Sequence, residues 1–93
     1  MVRTSEEILL RFLHDERFDF DAVEVKYTDR GAQNDRSVVS GDRIDRVRGG
    51  YMVIRSPMGP TTIPLHRLLS IRYRGITIWE LGMPSMDLDR IPP

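Results

Sequence analysis

The chain has 93 residues, of which 40% are hydrophobic and 30% are charged, and its 14 basic and 14 acidic side chains cancel to a formal net charge of zero. This composition is typical of one small globular domain and excludes an intrinsically disordered chain. The absence of cysteine excludes disulfide bridges, thiolate-bound metals and thiol nucleophiles. No apolar run reaches the roughly 20 residues of a membrane span, and the first residues lack a signal-peptide pattern. We therefore expect a soluble cytoplasmic protein without a cofactor or a membrane partner.

The zero net charge conceals three blocks of different sign. Residues 1–35 carry 5 basic and 9 acidic side chains, residues 36–79 carry 8 and 2, and residues 80–93 carry 1 and 3. The middle block is therefore basic, and 13 of the 14 bases in the chain are arginine. Because the planar guanidinium group binds phosphate through paired hydrogen bonds, this block favours an anionic partner. An arginine-rich composition throughout the genome is the alternative explanation.

The first predicted element is a helix that begins at Thr4 and ends near His14. Thr4 and Glu7 have the spacing of a capping box, in which a hydroxyl satisfies a free amide of the first turn. Apolar residues at helical spacing form one stripe, which consists of Ile8, Leu9, Phe12 and Leu13. The acidic stretch 16–22 follows, and we expect it to be a loop whose two phenylalanines insert into the core.

Alternating apolar and polar residues predict a half-buried strand over 23–28. The polar segment 29–35 is predicted to be a turn region. Further short strands are predicted over 37–40, 51–55 and 61–63. The segment 41–47 is compatible with either a short helix or a strand.

A two-residue loop, Arg74-Gly75, is predicted to close a final hairpin. A regular register places Arg72 diagonally beside Trp79 on the solvent face of this hairpin. A guanidinium group beside an exposed indole is suited to stacking on a nucleobase. The alternative is that Trp79 packs beneath another element of the fold.

Together these elements predict an α+β fold, in which the N-terminal helix packs on a mostly antiparallel sheet of about five strands. A sheet that curls into a small barrel is a variant of this arrangement. Parallel crossovers are not expected, because no second amphipathic helix is long enough for one. We assign residues 1–81 to a single domain and expect residues 82–93 to form a mobile C-terminal tail that adds little to the core.

Two clusters of residues carry binding chemistry. Asp29-Arg30-Gly31-Ala32 follows a strand, and it combines a guanidinium group with a glycine whose backbone amides could hold an anion. Ile63-Pro64-Leu65-His66-Arg67 sets an imidazole beside an arginine that could neutralise a phosphate. Each cluster also has a structural interpretation, the first as a charged turn and the second as a histidine that makes a local hydrogen bond. The sequence lacks phosphate-binding glycine loops and the motifs of zinc proteases, and we predict no metal site.

Both clusters belong to a larger pattern that runs from about residue 8 to residue 79. Its stretches are Val23-Glu24-Val25 with Tyr27, Asp29-Arg30-Gly31-Ala32 with Asp35, Gly41 with Ile44, Ile63-Pro64 with His66-Arg67, Ile71-Arg72-Tyr73, Gly75 and Ile78-Trp79. This combination resembles an archaeal family described as the RNA cyclic-group end recognition domain. The chain departs from the family pattern at Leu65, where tyrosine is usual, at Arg74, where Asp or Asn is usual, and at Asp15, where proline is common.

The resemblance implies an RNA-binding module that recognises RNA ends bearing a 2′,3′-cyclic phosphate or a related group, in RNA processing or repair and alongside RNA-end-processing enzymes. For such a module we predict contacts to the terminal phosphate from Arg30, His66, Arg67 and Arg72, with Gly31 in the same site. We expect Asp29 to orient Arg30 or to contact a ribose hydroxyl, and Tyr27 or Trp79 to stack on a base. If this interpretation is right, Asp29, Arg30, His66 and Arg67 should converge in one concave patch. One alternative is a phosphodiesterase with His66 as general acid or base. The other is a protein-interaction module whose arginine-rich face meets an acidic partner.

Overall fold

In the computed structural model, which describes residues 4–93, one α-helix and seven strands form the predicted α+β fold. Helix α1 spans Ser5–His14, and the Glu7 amide donates a hydrogen bond of 3.2 Å to the hydroxyl of Thr4, as the capping box predicts. The strands are β1 Val23–Thr28, β2 Arg36–Ser40, β3 Ile44–Arg48, β4 Tyr51–Ser56, β5 Gly59–Pro64, β6 Leu68–Tyr73 and β7 Ile76–Glu80. No helix within residues 4–93 has the length and apolar character needed to cross a membrane.

The strands form two antiparallel sheets, with the orders β2-β1-β6-β7 and β3-β4-β5. The predicted class and the antiparallel pairing are confirmed, but the described strands number seven instead of about five, and they close no barrel. One of the additional strands, β3, comes from the ambiguous segment 41–47. Gly41–Arg43 forms a 3-10 turn, and the following β3 pairs with β4, which starts the second sheet.

Helix α1 contributes one apolar face to the core. Its fully buried side chains are Ile8, Leu9 and Phe12. Leu13, which the helical spacing assigned to the same stripe, is 37% exposed at the margin of this face. The apolar stripe is therefore narrower than the sequence predicted.

Three aromatic rings pack together beneath the helix. Phe12 stacks on Tyr73 with 4.9 Å between ring centroids, and Phe18 meets both rings edge-on. The Asp19 amide donates a hydrogen bond of 2.9 Å to the buried Tyr73 hydroxyl. Phe18 thus inserts into the core as expected, whereas Phe20 is half-buried against it.

The final hairpin departs from the predicted register. Arg72 pairs with Thr77 as expected, but a bulge then brings Ile71 opposite Trp79. Because a bulge inserts one extra residue, it re-aims the side chains that follow. Trp79 consequently packs half-buried against the core, while the exposed Arg72 donates a hydrogen bond of 2.7 Å to the carbonyl of Gly75. The predicted platform of Arg72 and Trp79 is therefore wrong.

The segment 82–93 contributes two side chains to the core. Leu88 is fully buried and Ile91 is 6% exposed. Asp89 also accepts a hydrogen bond of 2.6 Å from the guanidinium group of Arg11 in α1. These contacts correct the expectation that the segment adds little to the core. The boundary of the domain at residue 81 and the mobility of the segment stay predictions.

Candidate nucleic-acid interface

His66 lines two neighbouring surface cavities. One has a volume of about 450 Å³ and is also lined by Thr28, Arg30 and Arg67, and we call it the basic pocket. The other has a volume of about 590 Å³ and includes Trp79 and several aliphatic side chains, and we call it the apolar groove. An exposed imidazole therefore stands between a cationic site and an apolar one.

The sheet topology explains why distant parts of the sequence meet in the basic pocket. Strands β1 and β6 are antiparallel neighbours, so the end of β1 and the start of β6 lie at the same edge of the sheet. Thr28 is the last residue of β1, and Arg30 lies in the turn that follows. His66 and Arg67 occupy the 3-10 turn that immediately precedes β6, after Pro64 has ended β5. The structure thus brings these two arginines and His66 together, but not Asp29, which the predicted patch also included.

The cations of the basic pocket have no carboxylate partner in the described part of the chain. The ion pairs found within residues 4–93 use other arginines, and none involves Arg30, His66 or Arg67. Arg30, His66 and Arg67 are exposed. The same residues 4–93 contain no group of three or more His, Asp or Glu side chains arranged to hold a metal ion. The pocket is therefore a concave site with uncompensated hydrogen-bond donors, which suits an anion.

Asp29 and Gly31 shape the turn that presents Arg30 and do not line the basic pocket. The Asp29 carboxylate accepts a hydrogen bond of 2.6 Å from the Ser37 hydroxyl. Gly31 adopts a backbone conformation with φ +91°, which glycine tolerates, and its amide donates a hydrogen bond of 3.2 Å to the carboxylate of Asp35. The backbone amide of Gly31 therefore binds the carboxylate of Asp35, which belongs to the same chain. Direct contacts of Asp29 and Gly31 with RNA stay predictions.

Tyr27 is 7% exposed and belongs to the core, where it shares a face of β1 with the fully buried Val23 and Val25. Burial raises the pKa of its hydroxyl, and the nearby charge of Asp29 raises it further. The enclosed ring is poorly placed to stack on a base, which corrects that prediction. The alternation of apolar and polar residues over 23–28 predicts the burial of Tyr27 correctly, because it places Tyr27 on the same face as Val23 and Val25.

Arg72 and Trp79 occupy different surroundings, although both were expected at an RNA-binding face. Arg72 lines neither cavity, and its guanidinium group is engaged by its own hairpin. Trp79 lines the apolar groove beside His66. The structure thus places Trp79 beside His66 and not beside Arg72.

The apolar groove includes residues that the sequence did not single out as functional. Its aliphatic lining comes from Leu65, Leu68 and the segment 81–84, and its polar rim comes from the start of α1. In the sequence, Leu65 stands out only because it departs from the family pattern. In the structure, its side chain is buried in the 3-10 turn Leu65–Arg67. The available signal in the sequence was the apolar pair Leu81 and Met83, and the structure leaves Met83 59% exposed, as in a binding surface.

Comparison with known proteins shows the family to which the chain belongs. Residues 2–80 match the family model described as the MJ1316 RNA cyclic group end recognition domain. The chain belongs to this family. The RNA cyclic group end recognition family model covers every residue of the basic pocket, whereas the segment 81–84 of the apolar groove lies beyond the matched range. The resemblance seen in the sequence is confirmed.

Two curated relatives cover most of the chain. The UPF0248 protein MK0350 of Methanopyrus kandleri is 31% identical over 70 residues, which are 75% of this chain and 89% of that protein. A UPF0248 protein of Archaeoglobus fulgidus is 40% identical over 63 residues, which are 68% of this chain and 84% of that protein. No solved structure matches the chain.

Proposed function

We propose that this protein binds the end of an RNA strand, with a terminal 2′,3′-cyclic phosphate in the basic pocket and the terminal base in the apolar groove. The observation that carries the proposal is the position of His66, which lines both cavities. A terminal nucleotide joins an anionic phosphate, through a ribose, to a base with flat faces that stack on aromatic rings, so two such cavities side by side suit it. Aromatic side chains and cations are the groups that bind unpaired RNA ends.

The chemistry of the basic pocket favours a cyclic phosphate over an end with free hydroxyls. Arg30 and Arg67 can only donate hydrogen bonds, and the lining of this pocket contains no carboxylate. A cyclic phosphate offers anionic oxygens as acceptors and has no free hydroxyl at the 2′ or 3′ position. An end with free hydroxyls adds donors, which the arginine side chains of this lining cannot accept. A pocket lined by hydrogen-bond donors therefore suits a cyclic phosphate better than an end with free hydroxyls.

The arrangement supports binding more strongly than hydrolysis of the cyclic group. Ring opening by acid–base catalysis uses one group to activate water and another to protonate the leaving oxygen. His66 is the lining residue of the basic pocket whose side chain can serve as a general acid or base. The carboxylate of Asp29, the candidate for the second group, is engaged by Ser37 and lies outside the lining. We therefore propose recognition without turnover.

Attack by a ribose 2′-hydroxyl during RNA cleavage leaves a 2′,3′-cyclic phosphate on the upstream fragment. A protein that binds this group would act in RNA processing or repair. It would act together with enzymes that ligate, hydrolyse or trim such ends.

The test compares one RNA oligonucleotide that carries a 2′,3′-cyclic phosphate, a 3′-phosphate or a 3′-hydroxyl, at two salt concentrations. We expect the cyclic end to bind about tenfold more tightly, equivalent to roughly 1.4 kcal/mol. Arg30→Ala should remove this preference. Arg46→Ala is the matched control, because it removes the same charge from an exposed position of β3 in the other sheet.

Three other results of this binding experiment would overturn the proposal. Equal affinity for the three ends, falling steeply with salt, would overturn the proposal and leave a general polyanion binder. Ring-opened RNA that disappears with His66→Ala would replace it with the phosphodiesterase hypothesis. A failure to bind any of the three RNAs would overturn it in favour of a protein partner.

A further inference from the structure

A second pair of cations lies on the outer face of the four-stranded sheet, beside the basic pocket. Arg36 in β2 is the strand partner of Thr28 in β1, and Lys26 precedes Thr28 by two residues in the same strand. Strand partners, and residues two apart in one strand, project from the same face of a sheet. Lys26, Thr28 and Arg36 therefore share a face, and Thr28 also lines the basic pocket.

Lys26 and Arg36 jointly line two further surface cavities, with volumes of about 710 and 250 Å³. Each cavity also contains one carboxylate, Asp35 in the larger and Glu80 in the smaller. The Asp35 carboxylate already accepts the hydrogen bond from Gly31. Within residues 4–93, neither Lys26 nor Arg36 forms an ion pair. Both cations are thus available to an external anion next to the basic pocket.

We infer that Lys26 and Arg36 bind the internucleotide phosphates of the RNA strand whose end occupies the basic pocket, an inference that rests on the proposed function. Residues two apart in a strand are separated by about 6.8 Å, which is comparable with the spacing of successive phosphates in an extended single strand. The step from Thr28 to Lys26 therefore matches one nucleotide. Because phosphates carry no base identity, these contacts add affinity without sequence preference. The protein thus binds an oligonucleotide more tightly than a mononucleotide with the same end.

The test uses two probes with the same terminus, a hexanucleotide with a 2′,3′-cyclic phosphate and a nucleoside 2′,3′-cyclic monophosphate. The unsubstituted protein should bind the hexanucleotide at least about tenfold more tightly. The double substitution Lys26→Ala with Arg36→Ala should remove most of this advantage and leave the mononucleotide affinity unchanged. The slope of log affinity against log salt should fall by about 1.4, or roughly 0.7 for each lost contact.

The matched control is Arg46→Ala with Arg48→Ala, which removes two exposed charges from β3 in the other sheet and should preserve the length dependence. Circular dichroism should verify that all variants fold. If the control and the Lys26/Arg36 variant lose hexanucleotide affinity equally, the effect is one of general charge and the inference fails. Equal affinity of the unsubstituted protein for the two probes would also overturn it, while leaving the proposed function intact. The proposed function fails separately, if replacing the cyclic end by a 3′-hydroxyl does not weaken hexanucleotide binding.

Discussion

Gly41 and Phe20 approach each other so closely that a Cβ atom on Gly41 would overlap the carbonyl oxygen of Phe20. The contact joins the 3-10 turn before β1 to the 3-10 turn between β2 and β3. Since β2 and β3 belong to different sheets, this contact anchors the connection between the two sheets. A hydrogen in place of a side chain is what allows the two backbones to meet.

Gly41→Ala should therefore lower the free energy of unfolding by about 2 kcal/mol or more. The overlapping atom belongs to the backbone, so the added methyl group cannot be accommodated by a side-chain rotation. Urea denaturation measures the effect. Met58→Ala is the control, because Met58 is 97% exposed and its truncation should change stability by less than about 0.5 kcal/mol. A Gly41→Ala protein as stable as the control would contradict the observed packing.

Leu88→Ala should cost about 2–4 kcal/mol of unfolding free energy, because it removes a fully buried side chain and leaves a cavity. Met86→Ala is the matched control from the same segment, since Met86 is 43% exposed. The comparison by urea denaturation asks whether residues 82–93 fold with the rest of the chain. A loss no larger than that of Met86→Ala would mean that the segment is not part of the cooperative core.

Acid should weaken the attachment of the C-terminal segment to α1. Hydrogen bonds from Arg17, together with those from Arg11, hold the pKa values of Asp15 and Asp89 below the usual range. Because these pKa values are lower in the folded protein, the carboxylates stabilise it fully above the ordinary aspartate pKa of about 3.9. This contribution is lost as the pH falls through the lower values of the folded state.

The double substitution Asp15→Asn with Asp89→Asn tests this pH dependence. At pH 6 the unsubstituted protein should be the more stable of the two, and its advantage should shrink below about pH 4. Urea denaturation from pH 2 to pH 7 provides the comparison. A difference in stability that is the same at every pH would show that ionisation of these carboxylates does not contribute.

Trp79→Ala should weaken RNA binding by about fivefold or more, because stacking on an aromatic ring contributes roughly 1–3 kcal/mol per base. The preference for a cyclic end over a 3′-hydroxyl end should be unchanged, since the phosphate lies in the other cavity. An RNA without its terminal base separates stacking from folding effects. It should bind the unsubstituted protein weakly, with little further loss on Trp79→Ala. If removing the base leaves the affinity of the unsubstituted protein unchanged, the apolar groove is not a base site.

Features that depend on neighbouring residues could be predicted from the sequence alone. The capping box at Thr4, the alternation over 23–28 and the turn that contains Gly31 all appear in the structure as expected. Their causes are local, because a hydroxyl at the correct spacing, a period of two or the lack of a Cβ atom acts within a few residues. The arginines and the histidine of the basic pocket could be named for the same reason, since their chemistry is visible in their side chains.

The surroundings of those side chains were decided by tertiary structure. The bulge in the last hairpin moved Trp79 from Arg72 to His66, and no residue in the turn specifies a bulge. Leu88 lacks any periodic pattern, and it is buried only because a distant helix and sheet leave room for it. Composition and spacing thus determined that this chain carries cations and an imidazole suited to a phosphate. Only pairing between distant strands brought Arg30 and His66 into one pocket, because packing across the whole chain, and not local preference, sets that distance.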